Sequence, residues 1–102
     1  MTVINNIPGL WVDKKFLFDE GLSPNEKILL AYFQSLPEAI FVNPALRMGH
    51  CKLLPSNAEI GRLFNLKKGT VANILTRLKE DFYIEIKYDL ESGRYLKINP
   101  NL

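Results

Sequence analysis

The side chains best suited to bind a charged partner lie between Arg62 and Lys79, where the sequence has five basic residues and no acidic residue. Lysine and arginine neutralise phosphates, while asparagine and threonine can hydrogen-bond base edges in the DNA major groove. Six residues of this stretch carry such groups at spacings that place them on or near one face of a helix: Lys67, Lys68, Thr70, Asn73, Thr76 and Arg77. The pattern predicts a surface that binds duplex DNA, with an ordinary solvated basic face as the alternative.

A second possible chemical site is the adjacent pair His50 and Cys51. They are the single histidine and the single cysteine of the chain, whereas a structural zinc ion normally takes four such ligands. Adjacent residues in an extended segment point in opposite directions, so the pair is also poorly placed for nucleophilic catalysis. With no paired carboxylates and no phosphate-binding glycine loop, we expect no metal, no cofactor, no small-molecule substrate and no enzymatic activity.

Length and composition predict one small domain. The chain has 102 residues, of which 47% are hydrophobic, which is enough for a modest core. The net charge of +2 is too small to indicate nucleic acid by itself, so the clustering of basic residues carries that prediction. A single cysteine suits a reducing cytosol, and we find neither a signal peptide nor an apolar run of membrane-spanning length. We expect a cytoplasmic protein that does not contact a membrane.

Residues 56–80 have the pattern of two short helices joined by a tight turn. Ser56 and Glu59 have the spacing of a capping box, in which each side chain accepts from the other residue's backbone N–H. Gly61 indicates that the second helix crosses closely over the first, and Asn65 suits the left-handed conformation that ends a helix. The residues expected to face inward are Ile60, Leu63 and Phe64 in the first helix, and Val71, Ile74, Leu75 and Leu78 in the second. This is the helix-turn-helix pattern, in which the second helix enters the major groove.

A core helix is predicted for residues 23–36, as the third support of the helix-turn-helix. Ser23 is placed to cap it, Pro24 takes its first position and Glu26 completes a capping box, while Pro37 prevents continuation. The connection over residues 37–55 is irregular. Within it we expect a strand or turn at residues 39–42, an exposed loop at residues 47–52 and a short strand at residues 52–54.

The spacing of apolar residues changes after Glu80 from a helical period to an alternating one. Apolar and polar residues alternate on both sides of a glycine-bearing turn, which predicts a β-hairpin over residues 82–98. Lys87 and Arg94, with Lys97, can contact DNA phosphates, whereas the acidic residues near the hairpin tip oppose this. A hairpin that contacts DNA and a hairpin that is purely structural both remain open.

Residues 1–22 are too apolar for a free tail. One interpretation is a short strand or brace that packs on the domain. The other is a dimer arm that places Trp11 and Phe16 on a second copy, since exposed clusters of large apolar residues usually mark an interface.

Together these elements predict an α+β, mainly α, fold: a winged helix-turn-helix with a three-helix core and a C-terminal β-hairpin wing. The order of these elements along the chain resembles that in the winged-helix domains of plasmid and phage replication initiators and replisome organisers. The resemblance covers roughly residues 3–98 and is carried by the IPGLW lead-in, the LSPNEKILLAYFQSL helix and SNAEIGRLFNLKKGTVANILTRLKEDFYIEI. It implies that the second helix of the motif reads the major groove, a role that falls by position on Lys68, Thr70, Asn73 and Arg77.

The function expected from this sequence is DNA binding in transcription regulation or in replication initiation. One domain of this size offers a small interface, so a homodimer on two half-sites is a possible arrangement. The alternative is a winged-helix protein-interaction module that does not bind DNA.

Overall fold

The structure is a computed structural model that describes residues 2–3, 11–39, 50–91 and 93–99. The chain divides into two compact units, residues 1–36 and residues 37–101. The described residues form a mixed α+β structure with four helices, a pair of two-residue strands and a three-stranded antiparallel sheet. Within these residues, no helix combines the length and the apolar character needed to cross a bilayer.

The first unit begins with two short strands and a one-turn helix. β1 (Thr2–Val3) pairs antiparallel with β2 (Trp11–Val12), and α1 (Lys14–Leu17) follows. Phe16 in α1 is only 1% exposed within its own chain. For Phe16 the interpretation of packing within the chain is therefore confirmed and the dimer-arm interpretation is wrong, because its ring is already covered. The Trp11 side chain lies outside the described residues.

The predicted helix over residues 23–36 is confirmed as α2 (Pro24–Ser35), while its role as the third support of the helix-turn-helix stays a prediction. Ser23 Oγ accepts from Glu26 N at 3.2 Å, and Glu26 Oε1 accepts from Ser23 N at 2.9 Å, which completes the capping box. The helix ends where Leu36 becomes extended before Pro37. Its buried apolar residues are Leu29, Leu30, Ala31 and Phe33.

A three-stranded antiparallel sheet organises the second unit. Its strands are β3 (Lys52–Leu54), β4 (Ile84–Asp89) and β5 (Gly93–Ile98), in the order β3-β5-β4. The predicted strand before the helix pair and the predicted hairpin are therefore both confirmed. The pairing of β3 with β5 was not predicted, because no signal between neighbouring residues in the sequence indicates it.

Cys51 is buried, which corrects the prediction of an exposed loop over residues 47–52. Ala39 N donates to Cys51 O at 2.9 Å, and the Cys51 side chain packs with Tyr95 and Ala39. Burial raises the pKa of the Cys51 thiol, and the nearby Glu38 carboxylate adds to the rise. His50 is exposed, whereas the predictions for residues 40–49 lie outside the described residues.

The helix pair of the second unit consists of α3 (Asn57–Phe64) and α4 (Lys68–Glu80). The turn between them is fixed by Asn65, which adopts φ 56° and ψ 44°, as predicted. Leu66 N donates to Gly61 O at 2.8 Å and so folds the turn back onto α3. A Cβ added to Gly61 would lie 2.5 Å from Leu66 O, so the close backbone is that of the turn and not, as predicted, that of the second helix.

Two other predictions for α3 need correction. Leu63 is 54% exposed, because the buried strip of this short helix is narrow and runs through Ile60 and Gly61. At Ser56 the structure shows one half of the capping box, in which Ser56 Oγ accepts from Glu59 N at 3.2 Å. The reciprocal bond from Ser56 N to the Glu59 side chain is not among the hydrogen bonds of the described residues.

The end of α4 places an aromatic residue in a left-handed conformation. Tyr83 N donates to Leu78 O at 2.9 Å and Phe82 N donates to Lys79 O at 3.1 Å, which is the Schellman pattern. Phe82 has φ 62° at the position where glycine is usual, and its side chain is 75% exposed. This feature was not predicted, since phenylalanine gives no signal for a left-handed residue.

Candidate nucleic-acid interface

The inner face of α4 determines which side chains point away from the protein. The four aliphatic residues predicted to face inward are all buried: Val71, Ile74, Leu75 and Leu78. With this face fixed in the core, helical periodicity leaves the opposite line of α4 outward. The sequence-predicted DNA contacts can therefore be placed relative to that line.

The outermost line of α4 runs through Gly69, Asn73, Thr76 and Glu80, which recur at i, i+4, i+7 and i+11. Asn73 is exposed near its middle and carries an amide that can donate and accept. Thr76 Oγ1 donates to Ala72 O at 2.9 Å, so its hydroxyl proton is used within the helix and its oxygen remains an acceptor. Glu80 ends the line with a negative charge, which confines the surface suited to DNA to the first three turns.

The two flanks of this line differ in charge and exposure. Lys68 lies on one flank with Lys79, and both are exposed. Thr70 and Arg77 lie on the other flank, where Thr70 is half-buried and Arg77 is exposed but also interacts within the chain. Cations therefore lie on both sides of Asn73, which is the arrangement that phosphate contacts on either side of a groove require.

The start of α4 is exposed and has no side-chain cap. Lys67 occupies the N-cap position without a side-chain hydrogen bond to the helix, as its residue type predicts. Lys67, Lys68 and Gly69 are all exposed, and a Cβ added to Gly69 would meet nothing within 4 Å. The backbone N–H groups of the first turn and two ammonium groups are thus concentrated at one end of the helix, where an anion is favoured.

The hairpin carries three cations that were predicted to contact phosphates, Lys87, Arg94 and Lys97. Lys87 is exposed on β4 and also interacts within the chain, and Lys97 is half-buried on β5. Arg94 on β5 is half-buried, and its Nη2 donates to Asn57 Oδ1 at 2.7 Å and to the Pro55 carbonyl. Arg94 therefore connects the hairpin to the start of α3, a role that the sequence analysis missed because it depends on the β3–β5 pairing. Its contact with a phosphate stays a prediction.

Comparisons of the chain with protein-family models, characterised proteins and solved structures found no match.

Within the described residues, no group of three His, Cys, Asp or Glu side chains is arranged to hold a metal ion. The chemistry available at this surface is that of cations, an exposed amide and backbone donors.

Proposed function

We propose that this chain is a winged-helix protein that binds duplex DNA, in transcription regulation or in replication initiation. The observation that carries the proposal is the outward line of α4, where an exposed Asn73 lies between cationic flanks on a helix whose other face is buried. This combination supports insertion of α4 into the major groove, with its first turns nearest the bases.

Phosphate attraction comes from the exposed lysines at the start of α4. Lys67 and Lys68 would each neutralise a phosphate, and each such contact releases condensed counterions. Arg77 adds a cation two turns further along the helix. These contacts hold and orient the domain on any duplex and carry no direct sequence information.

Base discrimination is assigned to Asn73. An asparagine amide can bond the N6 and N7 edge of adenine with two hydrogen bonds, which discriminates by about 1–3 kcal/mol. Gly69 lies one turn earlier on the same line, where the missing side chain lets the helix backbone approach the groove floor. Thr70 and Thr76 are the adjacent hydroxyl groups available to bases or phosphates.

The hairpin takes the position of the wing. Arg94 connects it to the start of α3 through its bonds to Asn57 Oδ1 and the Pro55 carbonyl. Lys87 is its exposed cation for phosphate contact, while Asp89 and Glu91 oppose phosphates at the tip.

Fluorescence anisotropy on a mixed-sequence duplex, repeated across a salt series, tests DNA binding. We expect log affinity to fall linearly with log salt, and Lys68→Ala to lower the slope by about one unit. Lys14→Ala is the matched control, because it also removes an exposed lysine, from α1 in the first unit. Absence of binding at low salt would overturn the proposal.

Selection of preferred sites from random DNA tests the role of Asn73. Asn73→Ala should lower the preference for the selected site by roughly tenfold to a hundredfold while non-specific binding is nearly unchanged. Asn25→Ala, an exposed helical asparagine in α2, is the control. An Asn73→Ala variant that retains full sequence preference contradicts the base-reading assignment.

A second candidate function is a protein-interaction module that does not bind DNA. It is favoured by one observation, the exposure of Phe82, Tyr88 and Leu90 around β4. A discrete oligomer or complex without DNA binding at low salt would select this function.

A further inference from the structure

The β4 strand lies at an edge of its sheet. Within the part of the chain that the structure describes, β4 pairs with β5 on one side and with no strand on the other. A six-residue edge strand presents a row of backbone donors and acceptors that can pair with another strand.

The direction of these backbone groups follows from one hydrogen bond beside β4. Asn99 N donates to Tyr83 O at 2.9 Å, so Tyr83 and Asn99 form a hydrogen-bonded pair. Such pairs alternate along an antiparallel ladder. The N–H and C=O groups of Ile84, Ile86 and Tyr88 therefore point away from β5, toward the open edge.

Exposed apolar side chains are concentrated around this same strand. Phe82 is 75% exposed just before β4, Tyr88 is 67% exposed within it, and Leu90 is fully exposed just after it. Large apolar residues that cluster at an open sheet edge indicate a surface that another protein chain covers.

We propose that β4 pairs antiparallel with β4 of a second copy of this chain, about a two-fold axis at Ile86. The two three-stranded sheets then become one continuous six-stranded sheet. Ile84 lies opposite Tyr88 of the second copy, and the outward backbone groups of Ile84, Ile86 and Tyr88 hydrogen-bond across the axis. Phe82 and Leu90 of opposite copies approach each other at the two ends.

Charge complementarity selects this register. On the other face of the strand, Glu85 lies opposite Lys87 of the second copy, and the symmetry repeats the pair. A shift by two residues in one direction places Glu85 opposite Glu85, and in the other direction places Lys87 opposite Lys87. A further shift sets Lys87 opposite Asp89 but pairs only residues 87–89 of each strand. Of these four registers, only the proposed one pairs unlike charges while it keeps five residues of each β4 strand paired.

The conformation of Phe82 also fits an interface. A left-handed φ of 62° is unfavourable for an aromatic residue, and the Schellman turn that it occupies would form more easily with glycine. The Phe82 side chain is exposed in the single chain, so packing within the chain does not offset the unfavourable backbone conformation. A contact between Phe82 and a second copy would offset it.

Charge reversal of the two facing residues tests the register. Sedimentation velocity without DNA should show a concentration-dependent wild-type dimer, and Glu85→Lys or Lys87→Glu alone should weaken dimerisation by about tenfold. Each single variant faces like charges in its own dimer, Lys opposite Lys or Glu opposite Glu. A mixture of the two variants restores unlike pairs and should form a heterodimer with near wild-type affinity, which a folding defect cannot produce.

A second pair of variants separates the interface from simple loss of surface apolarity. Phe82→Gly should raise the melting temperature at concentrations where the chain is monomeric and weaken dimerisation severalfold. Leu63→Ala, which removes an exposed leucine from α3, should leave dimerisation unchanged. The proposal is overturned by a wild-type chain that stays monomeric at about 1 mM, or by a mixture that associates no better than the single variants. Because no DNA is present, these outcomes are independent of DNA binding.

Discussion

The two glycines of the helix pair have opposite surroundings. A side chain on Gly61 would meet the Leu66 carbonyl oxygen at 2.5 Å, whereas a side chain on Gly69 would meet nothing within 4 Å. The packing of the turn therefore requires glycine at the first position, and nothing inside the described protein requires it at the second.

The difference shows that the turn and the start of α4, which follow each other directly in the chain, are under different constraints. The turn is held by the left-handed Asn65 and by the bond from Leu66 N to Gly61 O. The start of α4 lacks a side-chain cap and carries an exposed glycine, two features that lower helix stability without internal compensation. Such a helix start is consistent with a surface whose residue types are required by a binding partner and not by the fold.

The sharpest test of this comparison is Gly61→Ala. The new Cβ must displace the backbone of the turn, so we expect a loss of about 3 kcal/mol in the free energy of unfolding. Urea denaturation measures the change, with Gly69→Ala as the control. Equal effects of the two substitutions would contradict the contrast between the sites.

A smaller loss is expected from Asn65→Ala. Alanine in the left-handed conformation costs about 1 kcal/mol more than asparagine, because the Cβ of both residues crowds the following carbonyl but only the asparagine side chain can offset this by hydrogen-bonding locally. Asn65→Gly should be neutral or stabilising by the same measurement. If alanine and glycine behaved alike here, the turn would not depend on the positive φ.

Gly69→Ala should have the opposite sign to Gly61→Ala. A helical, unobstructed position gains up to about 1 kcal/mol when glycine becomes alanine. If α4 enters the major groove as proposed, the same substitution should weaken DNA binding severalfold in the anisotropy assay. A variant that is more stable and binds DNA equally well would show that Gly69 has no role in close approach.

The smallest expected effect is that of Lys67→Ser. Serine can accept from a first-turn N–H that Lys67 leaves uncapped, which should add about 0.5 kcal/mol to stability. The substitution also removes a proposed phosphate contact, so the salt slope should fall by about one unit. Thermal denaturation and anisotropy on the same variant separate the two effects.

Local signals in the sequence were sufficient to locate α2, the helix pair and the β4–β5 hairpin. The Ser23–Glu26 capping box, the left-handed Asn65 and the hairpin alternation all depend on residues close together in the chain, and each is confirmed. The buried face of α4 was also predictable, because thirteen helical residues define a periodic stripe well.

Burial that depends on distant partners could not be predicted. Leu63 has the spacing of an inward residue, but α3 is too short for periodicity to locate its narrow buried strip. Cys51 is covered by Tyr95 and Ala39, and Arg94 bonds Asn57, through contacts that depend on how the sheet is assembled. Of the candidate site, the sequence indicated which side chains point outward on α4 but not that Arg94 has a contact inside the protein.

The strand order β3-β5-β4 also determines when the second unit can finish folding. Lys52 in the first strand pairs with Leu96 in the last, so β3 has no strand partner until β5 is made. The helix pair and the hairpin depend on local contacts that form early, whereas pairing across such a sequence separation is slow. We expect a growing chain that has reached the end of α4 to contain formed helices and an unpaired β3, so that closure of the sheet is the last and cooperative step.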